Sequence, residues 1–244
     1  MFGFLLTRRW VLFALFVAVL GVICWRLGVW QFDRLDERLA DNEIIERNLA
    51  AEPVDVREVM SPEQDLPASQ QWRTVTLHGE YVEDAQVLVR YQTRDGRPGV
   101  SVVTPLRLDD GTRVLVERGW APAPNSASAE VDVPPPPEGE VQVTGWARQN
   151  QNGDPDAITP KDAQVRLISS AGFIEAIDAP LLHGYVSLES SQPAEPLAEG
   201  TQKPELNSGP HFFYGLQWWF FAALAIGGFG YFVWVESRDP RRDR

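Results

Sequence analysis

The chain has 244 residues, a formal net charge of −12 and a single cysteine. Nucleic-acid binding needs clustered Lys and Arg, so this charge argues against a nucleic-acid partner. One cysteine cannot form an intramolecular disulfide, a C-x-x-C-H haem attachment or a multi-cysteine metal site.

The N-terminal region is dominated by an apolar run, Val11–Trp25, which continues through Leu27–Trp30. A transmembrane helix needs about 20 apolar residues, so residues 11–30 are predicted to span a membrane after a short N-terminus of residues 1–10. A basic start also suits a signal peptide, but bulky residues follow the run where a cleavage site needs small ones. We therefore expect an uncleaved anchor.

The helical pattern continues beyond the first span. Apolar residues recur close to a 3.6-residue period at Phe32, Leu35, Leu39, Ile45 and Leu49. The sequence predicts one helix from about Val11 to about Ala50, whose residues 31–50 form a stalk above the membrane. The proline-containing stretch Glu52–Gln71 is predicted to be a connector.

Residues 72–190 are predicted to form a β-rich core. Alternating or β-branched runs predict about six strands, closed on themselves or packed under the stalk, with an Asp-Gly turn at residues 109–112 between two of them. Val131–Pro137 contains four consecutive prolines and is predicted to be an extended spacer. Leu167–Ile177 is predicted to be a short helix. The predicted strands lie within 72–77, 79–82, 86–90, 100–108, 113–120, 140–146 and 184–188.

A second apolar run, Phe212–Val235, contains no charged residue and is predicted to span the membrane, leaving residues 236–244 as a tail. Basic residues flank the two spans at the chain ends, whereas residues 31–211 carry 31 Asp and Glu against 15 Lys and Arg. Short basic flanks stay in the cytoplasm. The predicted fold is an integral membrane protein of the cell membrane, with both termini cytoplasmic and two transmembrane helices flanking a β-rich (α+β) extracytoplasmic domain with a helical stalk.

Conventional catalytic motifs are missing from the sequence: it has no G-x-S-x-G, no H-E-x-x-H and no P-loop. Of the three histidines, His78 lies in a predicted strand and His183 in a predicted turn. His211 lies where the second span meets the outer surface, among aromatic residues. It is either part of an interfacial aromatic belt or an axial ligand to a haem iron.

Polar residues inside the spans indicate where the helices face each other. Arg26 and Gln217 lie at similar depths, and an ionisable residue in a span either faces a partner or site, or extends to the interface. Small residues predict close helix contact at Ala14 and Ala18 against Ala223 and Gly227. Trp72, Trp120 and Trp146 are predicted to pack in the core of the outer domain.

These segments, in this order, resemble the Surfeit-locus-one (Shy-type) family, whose members assist the assembly of cytochrome c oxidase. The first matching block ends the first span and the last opens the second; the resemblance covers Gly28 to Val235. One departure precedes His211, where Ser208-Gly209-Pro210 separates it from Asn207 in place of an asparagine-rich lead-in. The matching blocks are LGVWQFDR at 27–34, WRTV at 72–75 with GEY at 79–81, VTPL at 103–106, VLVERGWAP at 114–122, EVQVTG at 140–145, and HFFY at 211–214 with Trp218.

The resemblance implies an assembly factor with no enzyme activity, which aids haem a insertion into the haem-copper subunit. It implies transient haem a binding through His211 as the axial ligand, with Tyr214, Trp218 and Trp30 nearby and Arg26 or Arg34 near the propionates. The expected partners are that subunit, other oxidase assembly factors and the lipid bilayer. Arg118 is expected either to dock the sheet against the stalk, which we favour, or to contact a partner.

Two alternatives from other classes stay open. A structural protein could scaffold a respiratory complex without holding a cofactor, and haem content after gentle purification separates it from the leading hypothesis. A membrane-anchored enzyme acting outside the cytoplasm would need a nucleophile, base or metal set that the sequence does not supply.

Overall fold

The computed structural model describes residues 3–124, 131–174, 177, 179–197 and 199–238. Its elements fall into two compact units, one formed by residues 1–42 with 206–244 and the other by residues 43–205. In chain order they are α1 (Arg8–Ala50), β1 (Val54–Asp55), β2 (Thr74–Tyr81), β3 (Val87–Val89), β4 (Gly99–Leu108), β5 (Arg113–Pro122), β6 (Glu140–Arg148), α2 (Pro155–Ile158), β7 (Gln164–Val165), β8 (Leu181–Gln192) and α3 (His211–Ser237).

The first unit is a pair of helices, formed by α1 up to Asn42 and by α3. Both helices have the length and the apolar composition of membrane-spanning segments. Many of their large apolar side chains are exposed, including Phe16, Val22 and Ile226. A water-soluble core helix would bury these side chains, so their exposure matches a lipid environment. The helix predicted from Val11 to Ala50 is confirmed, and α1 begins three residues earlier.

The second unit is a β-barrel. Its sheet runs β1-β2-β6-β8-β5-β4-β3-β7, and an additional pairing of β2 with β4 closes the five central strands into a ring. All neighbours in that ring are antiparallel except β5 and β8, which are parallel. Closure removes most exposed strand edges. Of the two arrangements that the sequence left open, strands closing on themselves and strands packed under the stalk, the structure has the first.

Alternation of apolar residues explains the barrel interior. Side chains of alternating positions on β2, β5 and β6, such as Val75, Leu77 and Val143, point into one core cluster. Strand β4 is buried along nearly its whole length because its other face is covered by two further apolar clusters. This double burial explains why β4 carries apolar residues on both faces, such as the adjacent Val102 and Val103, rather than a strict alternation.

Three sequence predictions for this unit need correction. The connector 52–71 contains β1 and supplies Val56, Met60 and Leu66 to the barrel core. His183 lies within β8 rather than in a turn. The helix predicted over 167–177 is wrong for residues 167–174, which form only a single 3₁₀ turn at Ser170–Gly172. Residues 175 and 176 lie outside the described part.

The physical reason for the lost helix is local polar competition. The backbone N–H and hydroxyl of Ser170 both donate to the side chain of Asn150, and the Ser170 hydroxyl accepts from Gly184. Serine side chains and backbones that find such partners do not extend a helix. The four-proline spacer does lack regular structure from residue 131 to residue 137, as its composition predicts.

Candidate functional site

His211 is the first residue of α3 and lies half-buried against α1. Its Nδ1 is 2.9 Å from the Oε1 atom of Gln31. An amide oxygen only accepts hydrogen bonds, so Nδ1 is the donor in this contact, and in a neutral imidazole the lone pair is then on Nε2. Nε2 forms no hydrogen bond with the residues that the structure describes. A histidine held through one nitrogen with the other left basic is the arrangement found in metal and haem ligation.

The segment leading into α3 is fixed by side chains of α1. Arg38 donates from Nε to the Asn207 carbonyl at 2.7 Å and from a terminal nitrogen to the Asn207 side chain at 2.9 Å. Asn42 donates to the same carbonyl at 3.1 Å. Asn207 in turn accepts from the Gly209 backbone N–H. Gly209 has a φ of +63°, which glycine adopts without strain, and the turn delivers His211 to Gln31.

Below His211 the two helices meet along seams with a seven-residue repeat. Trp10, Val17 and Cys24 are buried at successive intervals of seven on α1, and Gln31 takes the next position. On α3, Gly215 and Ala222 are buried with the same spacing. A seven-residue repeat is the signature of knobs-into-holes packing between helices. His211 and Gln31 therefore form a polar layer at the end of an apolar helix–helix contact.

Two glycines allow the close approach, and neither belongs to the predicted small-residue faces. A Cβ atom on Gly28 would lie 2.2 Å from the indole nitrogen of Trp219, and one on Gly215 would lie 2.7 Å from the Phe32 ring. At Gly227, by contrast, an added Cβ meets nothing within 4 Å. The predicted contact through Ala14, Ala18, Ala223 and Gly227 is wrong, because the glycines at the helix contact are Gly28 and Gly215 and large rings pack on them.

An aromatic layer lies directly under the His211–Gln31 pair. Trp219 stacks on Trp25 with ring centroids 5.1 Å apart and an interplanar angle of 14°. Phe32 contacts both Trp219 and Phe212, at 4.8 and 6.1 Å. Trp219 also has a buried indole nitrogen that lacks a hydrogen-bond partner among the described residues. The layer fixes Phe32 and hence the α1 turn that carries Gln31.

The other residues predicted near this site are more exposed. Trp30 and Tyr214 are about half exposed, and Trp218 is half-buried. Arg26 and Gln217 are exposed and lie away from the helix contact. Arg34 pairs with Glu37 at 2.7 Å. The structure thus joins His211 to Gln31, Arg38 and Asn207, which the sequence prediction did not place together.

Arg118 is fully buried in the barrel unit, where neither predicted role describes its contacts. It forms a two-pronged ion pair with Glu195, at 2.6 and 3.0 Å, and donates to Gln86 at 2.7 Å. It also donates to the carbonyls of Pro134 and Pro135. The expectation that Arg118 docks the sheet against the stalk is wrong: it holds the proline spacer and the segment after β8 against the barrel.

The remaining histidines and tryptophans behave as ordinary structural residues. His78 is exposed on β2, and His183 pairs with Asp65 at 3.1 Å. Trp72, Trp120 and Trp146 are each at most 7% exposed, which confirms their predicted place in the core. Within the described ranges, no group of three or more His, Cys, Asp or Glu side chains could hold a metal ion.

Comparison with known proteins covers nearly the whole chain. Residues 18–223 match the family model described as the SURF1 family. An uncharacterized SURF1-like protein of Mycobacterium tuberculosis is 33% identical over 251 residues, which cover 99% of this chain and 90% of the relative.

Two eukaryotic relatives match over shorter regions. A SURF1-like protein of Dictyostelium discoideum is 32% identical over 109 residues, covering 42% of this chain and 40% of the relative. The cytochrome oxidase assembly protein Shy1 of Saccharomyces cerevisiae is 31% identical over 100 residues, covering 41% of this chain and 25% of the relative. With a family model matched from the first helix into the second, the chain belongs to the SURF1 family.

Proposed function

We propose that this protein is a membrane-bound, non-enzymatic assembly factor for cytochrome c oxidase. Its membership of the SURF1 family and its similarity to the yeast assembly protein Shy1 support this function. The two apolar helices support a membrane location, and the basic chain ends support cytoplasmic termini with the barrel on the opposite side. The client is the haem-copper subunit, and other oxidase assembly factors are further partners.

We further propose that His211 is an axial ligand for haem a during its insertion. The single observation that carries this proposal is the His211–Gln31 hydrogen bond, which engages Nδ1 and leaves Nε2 without a hydrogen bond among the described residues. Haem iron takes a neutral imidazole as an axial ligand. Phe212 and Phe213, which are 44% and 73% exposed, provide apolar surface beside the ring. The residues present therefore fit the group.

The chain's own residues would hold and orient this ligand. Gln31 fixes the tautomer and the plane of the imidazole, and Arg38 fixes the turn before it through Asn207. Haem a would supply an iron with an open coordination position and a large apolar macrocycle. A single imidazole gives ligation weak enough for exchange with a client, which a transfer protein needs.

The assembly function is tested in a strain that lacks this protein. Reduced-minus-oxidised spectra of its membranes should lose the a-type signal while b-type and c-type cytochromes are retained. Re-expression of the wild-type chain should restore the signal. An unchanged spectrum in the deletion strain, with no second family member expressed, would overturn the oxidase assignment.

The ligand role is tested separately by haem content. Wild-type and His211→Ala proteins are purified gently from cells that make haem a, and bound haem is measured as its pyridine complex. His211→Ala should lose the haem while retaining membrane insertion. His78→Ala, an exposed histidine of the barrel, is the matched control and should keep it. Equal haem in His211→Ala and wild type would overturn the ligand role, and absence of haem from both would favour a scaffold without cofactor.

A further inference from the structure

The barrel has an opening where β5 and β8, the parallel pair of its five-stranded ring, separate. The pairing of β5 with β8 ends at Glu117 and Ser187. Beyond that point, the backbone of Trp120 pairs instead with Glu199, and the hydroxyl of Thr201 donates to the Leu188 carbonyl. The segment around residues 199–201 thus lies between the two diverging strands. A cavity of about 210 Å³ opens beside it, lined by Arg94, Ser101, Glu117, Trp120, Arg148 and Thr201.

Cationic side chains lie on aromatic rings all around this opening. Arg94 and Arg97 lie over Trp120, with the guanidinium carbons 5.3 and 5.1 Å from the ring centroid. Arg148 lies 3.7 Å above Trp72, whose ring contacts Trp146, and Lys203 lies 5.4 Å from Trp146. The chain carries a net charge of −12, so this concentration of cations contrasts with its overall composition. Stacking on the rings keeps the guanidinium groups in place at the rim.

Two of these cations have no carboxylate partner. Arg97 pairs with Glu199 and Lys203 with Glu189, whereas Arg94 and Arg148 form no ion pair with any residue that the structure describes. Arg94 donates one hydrogen bond to the Gly200 carbonyl. Arg148 reaches only the Ser187 hydroxyl, at 3.4 Å, and its buried Nε has no acceptor in the described part of the chain. Each guanidinium has five donors, so both retain spare hydrogen-bonding capacity at one cavity.

We propose that this cavity binds a carboxylate side chain, Asp or Glu, of a partner polypeptide. Planar guanidinium groups bind carboxylates through paired, charge-assisted hydrogen bonds. Glu117, already bonded to the Ser187 hydroxyl at 2.8 Å, makes the cavity unfavourable for a doubly charged phosphate. It remains able to accept a backbone N–H from the same polypeptide. The rest of the lining is polar apart from Trp120 and suits one residue of an extended chain; it is formed by Gln92, Thr93, Ser101, Thr201 and Gln202.

Long-range repulsion by the acidic chain does not prevent this binding. At physiological ionic strength charges are screened beyond about 8 Å, so the local field is set by the charges that line the cavity, where Arg94 and Arg148 outnumber Glu117. The proposal extends beyond the role of His211, which belongs to the helix pair, and it stands or falls independently of haem binding.

The test uses the full chain in detergent micelles with ¹⁵N-labelled tryptophan. Of its nine indole signals, that of Trp120 reports directly on the opening, because the Trp120 indole N–H donates to the Gln92 carbonyl at 2.8 Å. The probe is the blocked tripeptide N-acetyl-Gly-Glu-Gly-amide, and its Gln counterpart is the matched ligand control. Glutarate serves as a third probe, to separate a polypeptide carboxylate from a free small carboxylate.

The Glu peptide should shift the Trp120 signal saturably and the Gln peptide should not. Arg94→Gln and Arg148→Gln should each raise the dissociation constant at least tenfold. Arg107→Gln, which removes the same charge from an exposed pair with Glu80, should leave it unchanged, as should His211→Ala. Thermal unfolding of each variant checks its folding. Arg94 lies in a half-exposed loop, so Arg94→Gln carries the test if Arg148→Gln does not fold.

Three results would overturn the proposal: no saturable shift with the Glu peptide, equal binding of the Glu and Gln peptides, or affinity unchanged in Arg94→Gln. Tighter binding of glutarate than of the Glu peptide would also overturn it, because the occupant would then be a free small carboxylate.

Discussion

The helix pair and the barrel solve opposite packing problems. The barrel hides its apolar side chains inside and keeps one fully buried arginine, Arg118, paired with Glu195. The helix pair exposes apolar side chains such as Phe16 and Phe213 and buries glycines, Gly28 and Gly215, against rings. In the barrel the hydrophobic effect supplies the contact. Between helices that face lipid, as we propose for α1 and α3, shape complementarity must supply it. Buried charge should therefore matter most in the barrel, and small changes of volume most between the helices.

The largest effect should come from breaking the buried ion pair of the barrel. Arg118→Ala leaves the Glu195 carboxylate, only 9% exposed, without its partner. It also removes the arginine donor from the Pro134 and Pro135 carbonyls, whereas Gln86 still accepts from the Thr104 hydroxyl. Removing one partner of a buried pair costs about 3–5 kcal/mol. Denaturant unfolding followed by tryptophan fluorescence measures the loss.

Arg107→Ala is the matched control for this change. Arg107 pairs with Glu80, and both side chains are about half exposed. Exposed pairs contribute about 0–1 kcal/mol, so this variant should unfold close to the wild type. Similar losses in the two variants would contradict the view that burial of Arg118 holds the proline spacer in place.

Alkaline pH should weaken the barrel through a buried tyrosine. Burial raises the pKa of the Tyr185 phenol to about 12; Arg148 opposes the rise and Glu117 adds to it. A raised folded-state pKa means that the stabilisation is complete below the ordinary value of about 10 and is lost as the pH rises from there towards 12. Two pKa units correspond to about 2–3 kcal/mol.

The measurement is the difference between wild type and Tyr185→Phe in unfolding free energy over this pH range. Phenylalanine does not ionise, so its curve should lack this part of the pH dependence. Absorbance of tyrosinate in the folded protein should likewise show one fewer group ionising at high pH in Tyr185→Phe. Parallel curves for the two proteins would contradict this, because they would show that the Tyr185 phenol has the same pKa in the folded and unfolded states.

Added volume should weaken the helix pair at one glycine and not at another. Gly215→Ala places a Cβ 2.7 Å from the Phe32 ring, whereas Gly227→Ala places it in open space on the same helix. Overpacking costs about 1–3 kcal/mol, and alanine otherwise favours a helix over glycine by about 1 kcal/mol. Gly215→Ala should therefore destabilise and Gly227→Ala should be neutral or stabilising.

The stacked Trp25–Trp219 pair provides the signal for this comparison. Near-UV circular dichroism is followed as sodium dodecyl sulfate is added to protein in mild detergent micelles. An unchanged transition in Gly215→Ala would mean that Phe32 moves aside at no cost, and that the glycine does not set the helix contact.

The two units also differ in how far the sequence predicts them. Alternation and the Asp-Gly turn predict the central barrel strands, because a strand with one buried face must alternate. The two-residue strands β1 and β7 leave no such pattern, since their pairing depends on distant partners. The contacts of Arg118 were missed for the same reason: Glu195 lies 77 residues away in the sequence.

The site on the helix pair was predictable only in part. His211 stands out by its position at the start of a span, but its role as a haem ligand stays a prediction. Gln31 carries a signal that was overlooked, because it continues the seven-residue series of Trp10, Val17 and Cys24. Arg38 continues the same series, but Asn207 carries no such signal, since its contact with Arg38 depends on how the turn at Gly209 folds.

The smallest effect should come from a surface network of the barrel unit, in which Arg57 contacts Asp55, Asp109 and Asp110. Partial burial opposes ionisation of Asp55, but hydrogen bonds from the Arg57 backbone and side chain outweigh it and lower the Asp55 pKa. The Thr112 backbone N–H, with Arg57 assisting, lowers the Asp110 pKa. A lowered folded-state pKa gives stabilisation that is present above the unfolded value of about 4 and is lost as the pH falls through the folded value.

Arg57→Gln should therefore destabilise the barrel by less than about 1 kcal/mol at neutral pH, because the network is exposed and screened by salt. In acid, below the lowered pKa values of Asp55 and Asp110, the carboxyls are protonated and the variant should match the wild type. Urea unfolding at both pH values, at low and high salt, measures the difference. A loss of stability as large as that of Arg118→Ala, or one that persists in acid, would contradict this expectation. Exposed charge would then stabilise the barrel as strongly as buried charge does, and the contrast between surface and interior would fail within a single unit.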